Sequence, residues 1–296
     1  MAQEIAIVNG VLSPEKHAFV PVLDRGFLFG DSVYEVIRTR NGIPFLFDDH
    51  FERLSASSAR IDMKLPLTKD ELKIQIKRGL KESGFNETYI RIIVSRGISP
   101  PNINPRLAEG NTWVILFRKL ELPPKEEYEN GISTHIPNIF RNDRQALDPA
   151  IKSGNYLNNI LALKEALEKG AKEAIIQNRE GYITEATTAN VFIVENGKAL
   201  TPPCEEGILH GITRKLILNM AKENNLPCAE ERIPLERFLK ADEIFITSTL
   251  RDILPVTKIN GKPVGNGKPG PVTKKFIEAF QIKAEEINKK EMDEWE

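Results

Sequence analysis

The sequence predicts an α+β fold built as two domains. At 296 residues the chain is longer than a typical single domain, which favours two. Segments with strand alternation, such as TYIRIIVSRG from Thr88, are interspersed with helical patterns along the chain. Paired prolines and a charge cluster in LELPPKEEYENG indicate a linker. We therefore expect an N-terminal domain over residues 1–120, a linker over 121–130 and a second domain over 131–296.

The composition is that of a globular protein with a sizeable core, because 41% of residues are hydrophobic and 28% are charged. The net charge of −1 gives no reason to expect a nucleic-acid partner. Two cysteines, Cys204 and Cys228, are too few for a zinc framework or a disulfide scaffold. The start of the sequence lacks a secretion signal, and no stretch approaches the roughly 20 apolar residues that span a bilayer. We expect no membrane association and a cytoplasmic location.

The N-terminal domain is predicted to combine strands with two helices. Residues 32–40 alternate as a strand, and Asp48 and Asp49 precede a helix whose N-terminus they are placed to cap. A second helix is predicted from about Thr68 to Ser83. Capping explains the two aspartates better than a metal cluster with His50 does, and we predict no metal site.

The strand from Thr88 places two polar side chains on one face. Period-two geometry puts Ile90, Ile92 and Val94 on one side and Tyr89 and Arg91 on the other. Arg91 could be an ordinary solvent-facing charge. On a strand that is mostly buried, however, an arginine generally needs an anionic partner, so Arg91 is a candidate for binding an anion.

The segment IKSGNYLNNILAL places a lysine, Lys152, just ahead of a helix. Helical spacing puts Leu157, Ile160, Leu161 and Leu163 on one apolar face. A lysine at such a junction is most often a solvated charge. It can also point into a cleft, so its interpretation depends on the residues around it.

Those other residues form an anion-binding pattern without a nucleotide motif. Gly211-Ile212-Thr213 opens an amphipathic helix with the core face Leu216, Ile217, Met220 and Ala221, and a helix N-terminus binds phosphate readily. Ser248 and Thr249 offer further hydroxyl and backbone donors, and Arg53 is another candidate ligand. Each feature alone is ordinary. Combined with Lys152 and with Glu185 beside a strand, they indicate a phosphorylated cofactor held by a lysine, namely pyridoxal 5'-phosphate.

The sequence resembles the class IV, or fold type IV, pyridoxal-phosphate enzymes. This group contains the branched-chain-amino-acid and D-amino-acid aminotransferases and aminodeoxychorismate lyase. The resemblance covers nearly the whole chain, in order and with the expected spacing, through the segments DRGFLFGDSVYEVIR, HFERL, KSGNYLNNILA, GYITEATTANVFIV, GILHGITR and GPVTKKF.

The resemblance implies a two-domain fold of the D-amino-acid aminotransferase type, a cofactor in the cleft between the domains, and a homodimer. Lys152 would hold the cofactor covalently and later carry protons as a free amine. Glu185 would face the pyridine nitrogen, and Tyr156 would hydrogen-bond the phenolate oxygen. The phosphate would be held by the remaining cofactor ligands, Arg53, Ile212, Thr213, Ser248 and Thr249. The substrate would meet a pocket formed by Phe29, Tyr34, Arg38, Tyr89, Arg91 and Leu250.

The branch within the group follows from fewer residues. NYLNNILA, YIR at 89–91 and GPVTKKF resemble the branched-chain enzymes, and the Arg-x-His that D-enzymes carry after SRG is replaced by Pro101-Asn102-Ile103. Two turns depart from the branched-chain pattern: EATTAN replaces a Glu-Gly-Ser-Gly-Glu-Asn type, and STLRD replaces a small-residue turn. The loop after SRG is also closer in form to that of the D-enzymes. We therefore predict an aminotransferase acting on L-amino acids with apolar side chains and on 2-oxo acids. The alternatives are a D-amino-acid or (R)-amine transaminase, then the lyase, then a cofactor-binding protein without turnover.

Overall fold

The computed structural model of the protein describes residues 2–295, which form two compact units. The first unit comprises Met1–Glu121, Ile151–Asn155 and Glu286–Glu296, and the second comprises Leu122–Ala150 and Tyr156–Glu285. The segment around Lys152 and the last residues thus belong to the first unit, although the sequence analysis assigned them to the second domain. The segment expected to be a linker over 121–130 contains a helix that belongs to the second unit.

The first unit contains a six-stranded sheet with the order β2-β1-β6-β5-β3-β4. All of its neighbouring strands are antiparallel. Its strands and helices are β1 (Ile5–Val8), β2 (Val11–Pro14), α1 (Arg25–Phe29), β3 (Ser32–Arg40), β4 (Ile43–Pro44), α2 (Phe47–Ala59), α3 (Lys69–Ser83), β5 (Thr88–Ser95) and β6 (Thr112–Lys119), with short 3-10 helices at Glu15–His17 and Pro105–Leu107.

The second unit contains a nine-stranded sheet with the order β12-β11-β10-β13-β14-β7-β8-β9, and β15 pairs with β14. Its elements are α4 (Lys125–Asn130), β7 (Ile132–His135), α5 (Leu157–Glu168), β8 (Glu173–Gln177), β9 (Ile183–Ala186), β10 (Asn190–Glu195), β11 (Lys198–Thr201), a 3-10 helix (Cys204–Glu206), α6 (Ile212–Glu223), β12 (Cys228–Glu230), α7 (Leu235–Leu239), β13 (Glu243–Ser248), β14 (Asp252–Ile259), β15 (Lys262–Pro263) and α8 (Pro271–Trp295), whose residues from Glu286 onward belong to the first unit.

The alternation predicted for β5 is confirmed. Ile90, Ile92 and Val94 are buried in the core of the first unit, whereas Tyr89 and Arg91 are only half-buried. Because successive side chains of a strand point to opposite faces, the two polar residues lie on the face away from this core.

The predicted capping of α2 by aspartates is wrong. The helix begins at Phe47, and its N-cap is Leu46, a non-glycine residue in the left-handed region with φ of 56°. The Leu46 N–H donates instead to Glu291 Oε1 of α8, 2.9 Å away. Asp48 lies inside the first turn, where it pairs with Lys69 at 2.8 Å. The cap comes from a distant part of the chain, which no local pattern could indicate.

The last turns of α8 complete the core of the first unit. Trp295 is buried and packs edge-to-face on Phe47, with ring centroids 5.1 Å apart, and Lys73 Nζ lies 4.8 Å from the Trp295 ring centroid. The pKa of Glu291 is raised to about 7, mainly by burial and also by the nearby acidic groups Glu294, Asp48 and Asp49, while the hydrogen bond from Leu46 opposes the shift.

The large apolar residues of α5 do not lie on the face that the structure buries. Its buried residues are Asn159, Ala162 and Ala166, and the two alanines pack with residues of and near β8. Leu157, Ile160 and Leu161 are exposed, so the larger apolar face of the helix is uncovered in this chain. Small side chains let α5 lie close to the sheet, which a search for large apolar residues overlooks. By contrast, the core face predicted for α6 is confirmed.

None of the helices within residues 2–295 combines the length and the apolar composition needed to cross a membrane.

Candidate active site

The backbone around Lys152 is fixed to the edge of β3. The Tyr34 N–H donates to Lys152 O and the Gly154 N–H donates to Ser32 O, each over 2.9 Å. The Lys152 N–H donates to Ser57 Oγ of α2 at 3.1 Å. Lys152 therefore lies in a short extended segment that hydrogen bonds to both β3 and α2 hold in place.

The Lys152 amine and the Arg91 guanidinium both contact the ring of Tyr34. Lys152 Nζ lies 4.5 Å from the ring centroid and 3.5 Å from the hydroxyl oxygen, and Arg91 Cζ lies 4.1 Å from the same centroid. Cations at these distances are attracted to the electron-rich face of an aromatic ring. The ring of one buried tyrosine thus contacts two positive side chains.

Neither cation has an acidic partner: among residues 2–295 no carboxylate pairs with Arg91 or Lys152. Arg38 and Tyr89, two more predicted substrate residues, lie on the same sheet face as Arg91. They are opposite each other in the register of β3 and β5. This face of the first unit is consequently positive, and it can receive an anionic group close to the amine.

The opposite face of β3 carries a charged cluster that sequence analysis missed. Glu35 is fully buried and accepts from Arg53 Nε at 2.7 Å, Arg53 Nη2 at 2.8 Å and His50 Nδ1 at 2.7 Å. Burial alone would raise the pKa of Glu35, but the charges and hydrogen bonds of Arg53 and His50 hold that pKa far below its usual range. Burial lowers the pKa of His50, and the neighbouring Glu35 opposes that shift. The predicted phosphate ligand Arg53 is therefore oriented by a buried carboxylate.

In the second unit, Glu185 lies in β9, buried, with partners on both carboxylate oxygens. Oε1 accepts from Arg141 Nη2 at 2.7 Å. Oε2 accepts from Asn190 Nδ2 at 3.2 Å and from the Leu209 N–H at 3.0 Å. Arg141 also donates to Asn159 Oδ1 of α5 at 2.9 Å. Sequence analysis identified the carboxylate but not these partners.

Asn190 links Glu185 to the start of α6. Its side-chain amide also donates to Leu209 O at 3.0 Å, and its Oδ1 would lie 1.8 Å from a Cβ placed on Gly211. A side chain at Gly211 would therefore displace Asn190. Gly211 is the N-cap of α6 and offers no side-chain acceptor to the first N–H groups of the helix. Ile212 and Thr213 begin the helix and are both buried. This end of α6 suits an anion.

The remaining predicted residues lie at chain turns. Phe29 ends α1, half-exposed, and Tyr156 is the N-cap of α5. Ser248 ends β13, and the turn that continues through Thr249 and Leu250 is closed by the Arg251 N–H donating to Ser248 O at 3.1 Å. The structure thus joins Tyr34, Arg91 and Lys152 in the first unit, and connects Glu185 to the start of α6 in the second.

The residues described contain no group of three or more His, Cys, Asp or Glu side chains arranged to hold a metal ion.

Comparison with known proteins places these residues in a family. The family described as amino-transferase class IV matches residues 32–259. A protein assigned as a branched-chain-amino-acid aminotransferase in Methanocaldococcus jannaschii is 37% identical over 93% of this chain and 94% of its own length. A D-alanine aminotransferase from Bacillus licheniformis is also 37% identical, over 93% of this chain and 95% of its own.

A solved structure leads to the same family. The branched-chain amino acid aminotransferase of Escherichia coli superposes with a TM-score of 0.90 and 30% identity, over 95% of this chain and 94% of that one. The shared fold, the extent of the sequence match and the α+β architecture agree with the predicted fold class. The chain belongs to the class IV aminotransferases, a family of pyridoxal-phosphate-dependent transaminases.

Proposed function

We propose that this transaminase moves the amino group of an L-amino acid with a branched or other apolar side chain to a 2-oxo acid such as 2-oxoglutarate. The observation that carries the proposal is the unpaired Arg91 guanidinium, which shares the Tyr34 ring with the Lys152 amine. An amino acid presents an amine and a carboxylate a few ångströms apart. Lys152 would hold the cofactor that takes up the amino group and Arg91 would receive the carboxylate, so the two side chains on the Tyr34 ring match that pair.

The residues present fit the cofactor. The buried start of α6, with Ile212, Thr213 and the Cβ-free Gly211, is a cradle for the phosphate, to which we add Arg53, Ser248 and Thr249. When bound, pyridoxal phosphate supplies an electron sink for the carbanion left by the α proton. We assign Glu185 to hold the ring nitrogen and Tyr156 to hydrogen-bond the phenolate oxygen, while Lys152 holds the cofactor and moves the α proton.

The substrate side is assigned to residues of the first sheet face and one turn. Phe29, Tyr34, Arg38 and Tyr89 would surround the side chain, and Arg91, with the turn at Leu250, would hold the carboxylate. The loop after β5 supports an L-amino acid as donor, because it has Pro101-Asn102-Ile103 in place of the Arg-x-His of the D-enzymes. The relatives that act on D-alanine favour the second candidate, a D-amino-acid or (R)-amine transaminase.

We further propose that the enzyme is a cytoplasmic homodimer. Leu157, Ile160 and Leu161 are exposed on one face of α5, and a contiguous exposed apolar patch marks an interaction site. Phe27 and Ile103 in the first unit are exposed as well. Cys204 and Cys228 are free thiols, as expected in a reducing compartment. Substituting Ile160 and Leu161 by lysine should shift the sedimentation coefficient to that of a monomer, and an unchanged dimer would remove α5 from the interface.

A donor panel tests the activity. L-leucine, L-valine, D-alanine and (R)-1-phenylethylamine are each compared with 2-oxoglutarate or pyruvate as acceptor, and L-leucine or L-valine should give the highest kcat/KM. Arg91→Met should lower kcat/KM for amino acids by about ten- to a hundred-fold, because a charge-assisted hydrogen bond is lost. Arg118→Met, on the neighbouring strand and paired with exposed Glu4, is the control and should change little. A preference for D-alanine or the amine would overturn the proposed donor.

A further inference from the structure

Two turns of the second unit that depart from the branched-chain pattern are joined by one arginine. The first turn, residues 186–189, is closed by the Ala186 N–H donating to Ala189 O at 2.8 Å. The second, residues 248–252, follows β13. Arg251, in the second turn, donates from Nη1 to Thr188 Oγ1 in the first at 2.7 Å. The substitutions in the two segments are therefore not independent of each other.

A buried carboxylate completes the junction. Glu173 of β8 is 2% exposed, and its Oε2 lies 3.4 Å from Arg251 Nη2 and 3.4 Å from the Thr188 hydroxyl, which donates to it. Its Oε1 accepts from both the hydroxyl and the N–H of Thr187. Thr187 O in turn accepts from Asn159 Nδ2 at 2.6 Å. These hydrogen bonds and ion pairs form one connected network, and such a network makes the two turns rigid.

The backbone of Arg251 is held as well as its side chain. Its N–H donates to Ser248 O at 3.1 Å, and its carbonyl accepts from the Tyr128 hydroxyl at 3.2 Å. The next residue, Asp252, is buried with a positive φ of 53°, a conformation that costs a non-glycine residue free energy. The surrounding contacts therefore impose the shape of the turn on the chain.

We propose that Arg251, through Thr188 and Glu173, is a positioning residue that fixes the 248–250 turn for recognition of the substrate carboxylate. This inference rests on the proposed function, which assigns Ser248, Thr249 and Leu250 to the cofactor and substrate. Without the contacts of Arg251, the turn would have to become ordered each time a substrate binds, and the entropy cost of that ordering weakens binding. Because substrate and transition state lose the same contact, the defect falls on KM and not on kcat.

The test uses the enzyme saturated with pyridoxal phosphate and the probe 4-methylpentanoate, a carboxylate without an amine. Arg251→Met should weaken its binding, measured by calorimetry, and raise KM for L-leucine about ten-fold, below the roughly hundred-fold that a 1 Å displacement can cost. We expect kcat within about two-fold, full cofactor content at saturating pyridoxal phosphate because Lys152 would hold it covalently, and unchanged use of 3-methylbutylamine, which has no carboxylate. Arg237→Met, which breaks the two ion pairs that another partly exposed arginine of the same unit forms with Glu195 and Glu231, should leave binding unchanged.

Thr188→Val separates positioning from direct contact and serves if Arg251→Met folds poorly. Thr188→Val should also weaken binding of 4-methylpentanoate, and Thr188→Ser should bind it as the wild type does. The Arg251→Met/Thr188→Val double variant should bind the probe no more weakly than Arg251→Met alone. Fully additive effects, or an unaltered affinity in Arg251→Met, would overturn the inference. If the wild type prefers a D-amino acid, the proposed donor fails. The same variants are then compared by KM for that donor, so the role of Arg251 is judged separately.

Discussion

Glu35→Gln tests whether the buried cluster on β3 stabilises the first unit. The change keeps the shape of the side chain but removes the charge that Arg53 and His50 share. At most one oxygen of the new amide can still accept, so Arg53, whose side chain is only 12% exposed, loses its ion pair with Glu35. Breaking a buried pair from one side costs about 3–5 kcal/mol, because the remaining charge stays uncompensated.

The assay is the melting temperature of cofactor-free protein, measured by calorimetry so that the transitions of the two units can be separated. At about 2–4 °C per kcal/mol, the loss corresponds to a decrease of about 6–20 °C in the first unit. Glu4→Gln is the matched control, since it removes a carboxylate paired with Arg118 where the side chains are 44% and 51% exposed. Such an exposed pair contributes less than about 1 kcal/mol.

The pH dependence gives a second check with a definite sign. The pKa of Glu35 is depressed in the folded protein, so its charge stabilises the fold above the ordinary value of 4.5 and that contribution is lost as the pH falls below it. The gap in melting temperature between wild type and Glu35→Gln should therefore narrow as the solution is acidified below that value. Equal melting temperatures for Glu35→Gln and Glu4→Gln near neutral pH would refute the reasoning.

Three further outcomes follow from the site and from α8. Lys152→Ala should abolish transamination while some cofactor still binds, and borohydride should label the Lys152 peptide only in the wild type; a labelled variant would contradict the assignment. Arg141→Met should weaken pyridoxal-phosphate affinity about ten-fold with partial recovery in Arg141→Lys, because a buried Glu185 without its guanidinium is a poorer anion; unchanged affinity and spectrum would separate Arg141 from the cofactor. Glu291→Gln should raise the melting temperature at pH 8 but not at pH 5, since the raised pKa of about 7 means that wild-type stability is lost as the pH rises through that value. The reasoning would be contradicted if Glu291→Gln changed the melting temperature equally at both pH values. It would also be contradicted if Glu278→Gln, on the exposed side of α8, raised the melting temperature in the same way.

Patterns along one element were enough to predict part of the structure. The alternation of β5 and the core face of α6 follow from local periodicity, and both agree with the structure. The buried face of α5 could not be predicted in this way, because it consists of small residues, Ala162 and Ala166, while large apolar residues of the helix are exposed. Hydrophobicity alone cannot distinguish a helix face that is buried within the same chain from an apolar face that is exposed on its surface.

The polar partners of the site could not be predicted for a different reason. Arg141 and Glu185 are 44 residues apart and Glu35 and Arg53 are 18 apart, and no period links such pairs. A weak sign existed in His50 and Arg53, which are three residues apart and therefore share a face of α2. The Leu46 cap, supplied 245 residues later in the sequence, left no local sign at all.

That late cap bears on how the protein is made. Glu291 and Trp295 are synthesised after every residue of the second unit, yet they finish the core and the helix cap of the first. At about 5–20 residues per second, the ribosome needs roughly 10–35 s to reach them after it has passed Glu121. During that interval Phe47 and the start of α2 lack their partners, so the nascent first unit waits with an apolar surface uncovered. The half-made chain should therefore be the state most dependent on chaperones, and ribosome-bound chains stalled before residue 286 should be digested in α2 faster than released protein.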